Sequence, residues 1–172
     1  MTKTLLCAAF FTAAAAGTAS AGGTPGAIGV GYESSLAAFD LGQLGVYRFG
    51  GVSVNYDGGD FHAGGLVGLS DGGDRGDTDL TFGGRFYWHV GSTGSADFGV
   101  GGALTYAAID DRGDPDGGAS LLFLEPGFQI RAFVVPNVAL SFTGGLLIGA
   151  ADAEGFALTG MATGSAGVHY YF

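Results

Sequence analysis

The sequence predicts an all-β protein: eight antiparallel strands, connected as an up-and-down meander and closed into a barrel. Three observations predict it. Apolar and polar residues alternate with period two along most of the chain after residue 21, the signature of strands with two different faces. The 172 residues hold 36 glycines but only six lysines and arginines, so the mixed-charge surface of an ordinary soluble domain is missing. The connections between alternating segments are short and long in turn.

The first 21 residues are set apart from this pattern. "MTK" is a short positive region, "LLCAAFFTAAAA" is an apolar run of 12 residues, and Ala19-Ser20-Ala21 fits small-residue cleavage. A helical membrane span needs about 20 residues, so the run reads as an export signal. Cys7 lies near the start of that run and does not follow it, which argues against a lipid-anchored cysteine. The expected organisation is a signal peptide over 1–21 and a barrel domain over 22–172, with no further domain and no cysteine after cleavage.

The strands are taken in order. Ile28, Val30 and Tyr32 oppose Gly29, Gly31 and Glu33. Val52, Val54 and Tyr56 oppose Ser53, Asn55 and Asp57, and Phe61, Ala63, Val67 and Leu69 share one face. Leu80, Phe82, Phe86, Trp88 and Val90 oppose Thr81, Arg85, Tyr87 and His89. Phe98, Val100, Leu104 and Tyr106 alternate with glycines and Thr105. Phe128, Ile130, Ala132 and Val134 alternate with Gln129, Arg131 and Phe133. Val138, Leu140, Phe142, Leu146 and Ile148 oppose Asn137, Ser141 and Thr143. The last alternation runs from Phe156 to Phe172. The predicted spans are 27–36, 44–56, 61–69, 79–90, 97–108, 119–134, 137–149 and 156–172.

Most of the larger apolar residues share one face of their strand, and most of the small or polar residues share the other. A soluble barrel needs the opposite, apolar side chains within and charge outside. A barrel with lipid outside needs this arrangement, because lipid leaves every backbone N–H and C=O to be paired inside the protein and a closed barrel pairs them all. The connections fit: "YDGGD", "GSTGSA" and "VPN" are short, whereas "SLAAFDLGQ", "SDGGDRGDT", "IDDRGDPDGG" and "AADAEG" are mostly longer and acidic. Tyr56, Trp88 and Phe98, with Tyr170 and Phe172, fall at the short-turn ends of their strands and predict an aromatic girdle. The predicted fold is therefore a transmembrane β-barrel. Glu33, Arg85, His89, Gln129 and Arg131 have inward parity and predict a polar network in a narrow lumen.

Two residues fit less well. Pro126 lies in the sixth strand, and a closed barrel has no edge to hide a proline, so "EPG" predicts a bulge or break. Arg48 shares parity with the outward Val52 and Val54, unless a shift at Gly50-Gly51 turns it inward.

Val168, Tyr170 and Phe172 have one parity and end the chain on an aromatic residue. With the eight alternating segments before it, this ending resembles the small eight-stranded bacterial outer-membrane barrels, the OmpX and OmpA-membrane-domain type, along the whole of 22–172. The resemblance implies that these three residues are the signal read by the barrel-assembly machinery, with periplasmic chaperones and outer-membrane lipids as the other partners. It implies a Gram-negative outer membrane as the location and a structural or surface-interaction role. A narrow porin-like channel is the alternative, and a lipid-modifying barrel enzyme a third reading. The His-x-Ser pair of the lipid A deacylase barrels is absent here.

Of the 16 acidic residues, 14 fall in predicted loops and turns or, as Asp79 and Asp97 do, on the first residue of a span. The long loops hold Asp40, Asp71, Asp74, Asp77, Asp79, Asp110, Asp111, Asp114, Asp116, Asp152 and Glu154. Such oxygen clusters could take divalent cations, but their spacing is not that of an EF-hand and no specific metal site is predicted. Two "RGD" tripeptides, Arg75–Asp77 and Arg112–Asp114, are too short to carry a function. His62, His89 and His169 are the only imidazoles, and strand spacing brings none of them clearly to both a serine and an acid, so no catalytic residue and no cofactor is predicted. Acidic charge argues against nucleic acid.

Overall fold

The computed structural model describes residues 24–35, 39–40, 46–71, 78–110, 118–151, 155–159 and 166–172. The strands are β1 (Ile28–Ser34), β2 (Phe39–Asp40), β3 (Val46–Tyr47), β4 (Gly50–Asp57), β5 (Phe61–Asp71), β6 (Thr78–Ser92), β7 (Ala96–Asp110), β8 (Gly118–Val135), β9 (Val138–Ala151), β10 (Gly155–Thr159) and β11 (Ala166–Tyr171). β2 and β3 form a small ladder of their own. β10 pairs with Gly145–Gly149 of β9 and β11 with Val138–Phe142, so these two pieces form one stave. β11 then pairs with β1, from Gly29 opposite Tyr171 to Ser34 opposite Ala166. The ring is closed: an eight-stranded antiparallel barrel in meander order. Closure of β11 on β1 removes the edge at that end of the ring, while β10 pairs only with β9 and β2 only with β3 among the described residues.

Six strands begin and end within two residues of the spans that alternation predicts. The second differs. Its alternation starts at 44, but β4 opens at Gly50, with β3 paired apart from it. Part of the eighth, residues 160–165, lies outside the described residues.

At Pro126 the expected bulge or break takes the form of a break in one ladder, with no bulge. β8 runs unbroken, with Pro126 opposite Gly102 of β7. On the other side Leu124 pairs with Ile148 and Gly127 with Gly145, one constant register with no partner for Glu125 and Pro126. Loss of the proline N–H thus opens a local gap in one ladder and shifts nothing. The register shifts among the described residues lie near the short turns, at His89/Gly91 and Phe133/Val135. Arg48 keeps its outward parity: it is exposed, while Phe49, Gly51, Ser53 and Asn55 face in.

Inward glycines make the barrel narrow. Tyr87 is in register with Gly101 of β7, Gly127 of β8 and Gly145 of β9, so a bulky ring stands beside a row without side chains. A Cβ on Gly101 would land on the Phe86 carbonyl oxygen, whereas one on Gly84 would find no heavy atom nearer than 3.9 Å. Gly101→Val is therefore expected to lose at least about 1–3 kcal/mol. Gly84→Ala should be near neutral. Denaturant midpoints of the refolded variants check both.

Candidate functional site: a charged interior within an apolar wall

Burial is inverted relative to a soluble domain. Among the described residues, 17 polar or charged side chains are buried against 12 apolar ones, while 25 large apolar side chains are exposed. Each face has its own organisation.

The interior is layered. At the short-turn end Arg131 of β8 is a hub. Its Nη2 donates to Asp57 Oδ2 at 2.8 Å and Asp97 Oδ2 at 2.7 Å; its Nε donates to Asp97 Oδ1 at 3.0 Å. Nη1 donates to the Tyr171 hydroxyl at 3.0 Å, and the guanidinium carbon lies 5.4 Å from the Phe133 ring centroid. β4 and β8 stand on opposite sides of the barrel, so Arg131–Asp57 is a tie across the lumen. Beside it, His89 Nδ1 lies 2.7 Å from the Gly59 carbonyl oxygen and Nε2 lies 3.0 Å from His62 Nδ1. Gly59 holds this turn with φ of +86°, which glycine adopts without strain.

One layer further in, Arg85 of β6 makes a two-pronged pair with Glu33 of β1 and also donates to Asn55. Glu33 accepts from His169 Nε2 at 2.8 Å, and the same nitrogen lies 3.0 Å from Ser53 Oγ. Gln129 donates to Thr143 at 3.1 Å. Toward the long-loop end the interior turns apolar: Phe49, Ala107, Ile109, Leu121, Phe123 and Leu147 pack together. Phe49 meets Phe123 edge to face at 5.3 Å, from opposite sides of the barrel.

The five inward residues singled out by parity are thus brought into two groups, Glu33 with Arg85 and His89 with Arg131, and Gln129 stands apart from both. Parity reasoning left Asp57 and Asp97 out of the lumen network, because both stand at strand ends, in "YDGGD" and just after "GSTGSA", where an acid reads as solvated. Their signal was present: Asp57 continues the inward series Ser53, Asn55, and Asp97 begins that of β7. It missed Asn55, His62 and Tyr171 as partners because parity gives the face of a residue and not its neighbour across the lumen. His169 needs a correction too. It does reach a serine and an acid, through the closure of β11 on β1 and of β1 on β4. Both contacts fall on one nitrogen and all three groups are buried, so the relay of a hydrolase, with acid and serine on opposite ring nitrogens, is not assembled.

Among the described residues, His62, His89 and Asp97 offer three ligand atoms within 4.8 Å of one another. The Arg131 guanidinium already holds both Asp97 oxygens and lies 3.2 Å from His89 Nε2, so a fixed cation occupies the position a divalent ion would need. In the loops, Asp110 accepts from the Thr78 N–H at 2.9 Å and Asp79 from the Asp110 N–H at 3.2 Å, capping strand ends. Both "RGD" tripeptides, the acids at 74, 77, 111, 114, 116, 152 and 154, the Asp40 side chain, Cys7 and the 1–21 segment lie outside the described residues.

The outer wall is apolar and aromatic. Phe61 stacks on Phe86 at 5.2 Å and on Trp88 at 6.3 Å, and lies 6.1 Å from Tyr56. Phe98 packs on Phe128 at 5.7 Å, apart from that cluster. Val168, Tyr170 and Phe172 all point outward, Phe172 being 70% exposed. The Phe172 backbone still pairs with Ile28 in both directions, at 3.0 and 3.3 Å.

These faces define a class: closed eight-stranded barrels with an ion-paired interior and an apolar exterior. Comparison with protein-family models, curated proteins and solved structures finds no match to this chain.

Proposed function

We propose that this protein is an outer-membrane β-barrel of the OmpX-like kind, exported by a cleaved signal peptide, with a structural or surface-interaction role and acidic loops at one end. The inverted burial carries the proposal. A monomeric soluble protein rarely exposes an apolar patch beyond a few hundred Å². Here 25 large side chains are exposed around the wall, each worth on the order of 1 kcal/mol when it leaves water, and so tens of kcal/mol together. The height also fits. From Leu80 to Val90 the outward residues of β6 cover ten residue steps. At about 3.3 Å per step and a tilt near 40°, that rises roughly 25 Å, the height of a barrel's lipid-facing band.

The chain's single tryptophan supplies the test, because Trp88 sits on the outer wall near the short-turn end. After refolding into phospholipid vesicles its fluorescence should shift to the blue. Lipids brominated near the headgroups should quench it more than lipids brominated at the chain ends. Fluorescence unchanged by vesicles and unquenched by either lipid would count against insertion.

Between a structural barrel and a channel, the filled lumen favours the former. Phe49–Phe123 crosses it at one end and Arg131–Asp57 at the other. Planar bilayers should accordingly show no sustained single-channel conductance. For the assembly signal, Phe172→Ala keeps the backbone bonds to Ile28 and removes only an exposed ring. Refolding in detergent should be unchanged, while the amount inserted in cells should fall several-fold. An equal loss in both would assign the ring to stability.

A further inference from the structure

We infer that the outer wall carries a binding site for one chain of an ester- or amide-linked lipid, in a hollow over β6, β7 and β8 headed by the hydroxyls of Tyr106 and Ser120. The inference rests on the reading of the wall as lipid-facing and goes beyond it, since a wall merely wetted by lipid needs no hollow. The hollow measures about 660 Å³ and is walled by Phe82 and Phe86 of β6, Leu104 of β7, and Leu122 and Leu124 of β8. Its floor is bare backbone, at Gly84 and Gly102. Gly84 stands between Phe82 and Phe86 on the outward face, and a Cβ there would find no heavy atom nearer than 3.9 Å. Small-molecule sites have this size, about 300–1,000 Å³, and this mostly apolar lining.

Shape and charge select the occupant. Phe82 and Phe86 are four residue steps apart, about 13 Å at roughly 3.3 Å per step. With a ring standing on each, the gap is narrower than a partner helix, about 10–12 Å across, and it admits a single hydrocarbon chain. Tyr106 lies opposite Phe82, and the two rings pack at 5.1 Å. This level is two steps inside the long-loop limit of the apolar rise at Leu80, or about 5 Å of height. Here the Tyr106 hydroxyl lies 3.1 Å from Ser120 Oγ. When Ser120 donates, the Tyr106 O–H is left to donate to a carbonyl at the head of the chain. That carbonyl must be uncharged. Asp110 continues the outward row of Tyr106, and Asp71 ends β5 on the same side, both exposed, so a free carboxylate would meet like charge. Arg48, the exposed arginine among the described residues, precedes β4, two staves from β6. An ester or amide carbonyl avoids the repulsion.

Native mass spectrometry tests the site on the intact barrel, refolded into vesicles of dioleoyl phosphatidylcholine and released in mild detergent. The expected main species is one barrel carrying one phospholipid. The diether analogue, which lacks the carbonyls, and free oleic acid should each be retained several-fold less. Tyr106→Phe should bring the diester down to the level of the diether. Gly84→Leu, whose side chain enters the hollow, should cut retention of the diester several-fold. Insertion is read separately, from the blue shift of Trp88 in vesicles. A blue shift without retained lipid overturns the inference and leaves the lipid-facing wall standing, whereas no blue shift removes both. Equal retention of diester, diether and free acid by the unaltered barrel overturns it whether or not a variant folds. So does undiminished retention in Gly84→Leu. A lipid-free dimer that Gly84→Leu abolishes would give the hollow to a second copy of the chain and likewise overturn it.

Discussion

Arg131→Leu is expected to cost about 3–5 kcal/mol, the loss that follows when one partner of a buried ion pair is removed. The structure explains why the figure should lie at the upper end. Asp57 and Asp97 are both buried, and both lose their guanidinium. Tyr171 loses a hydrogen bond, and β4, β7, β8 and β11 lose their common tie. The damage should come from stranded charge more than from lost packing. Adding Asp57→Asn and Asp97→Asn to Arg131→Leu should therefore recover a large part of the loss, although three charges have then been removed. Urea midpoints of the refolded proteins decide it. A triple variant no more stable than the single one would mean that Arg131 acts through its packing on Phe133 and Tyr171.

The second large effect belongs to the outer wall. Phe86 stands near the middle of the apolar rise of β6, and Val90 at its end. In lipid, an arginine costs roughly 2–4 kcal/mol at the midplane and about 0–1 near the interface. Phe86→Arg should thus be strongly destabilising in vesicles and Val90→Arg close to neutral. In water the expectation is different, since a charge placed on an exposed surface usually changes stability by no more than about 0.5 kcal/mol. Arg48 is a natural instance: the outward arginine among the described residues precedes β4 and lies at the long-loop end of the wall. Equal, small effects at positions 86 and 90 would mean that the wall does not sit in lipid.

The fold was legible because period two survives in every strand and because each stave pairs with its neighbour in sequence. Alternation gives the face of each residue, and meander order gives its neighbours. The interior was only half legible. Parity puts Arg85 and Arg131 inside, but their partners stand one to four staves away. Glu33 meets Arg85, and His169 meets Ser53, only through ring closure and strand stagger. Asp57 and Asp97 were hidden for a different reason. An aspartate at a strand end looks solvated, yet both continue the inward alternation of their strands and are buried. Pro126 went the other way. Its penalty was read from the backbone alone, whereas the lost pairing stays confined to Glu125 and Pro126 and Gly127 resumes the same register with Gly145.

The most direct measurement is the electrophoretic mobility of the protein recovered from the outer-membrane fraction, boiled against unboiled. A closed, ion-tied barrel embedded in lipid should stay folded in detergent without heat and run as a compact species that shifts on boiling, and Arg131→Leu should weaken that resistance. A protein found in the soluble fraction, with one mobility before and after boiling, would contradict the account.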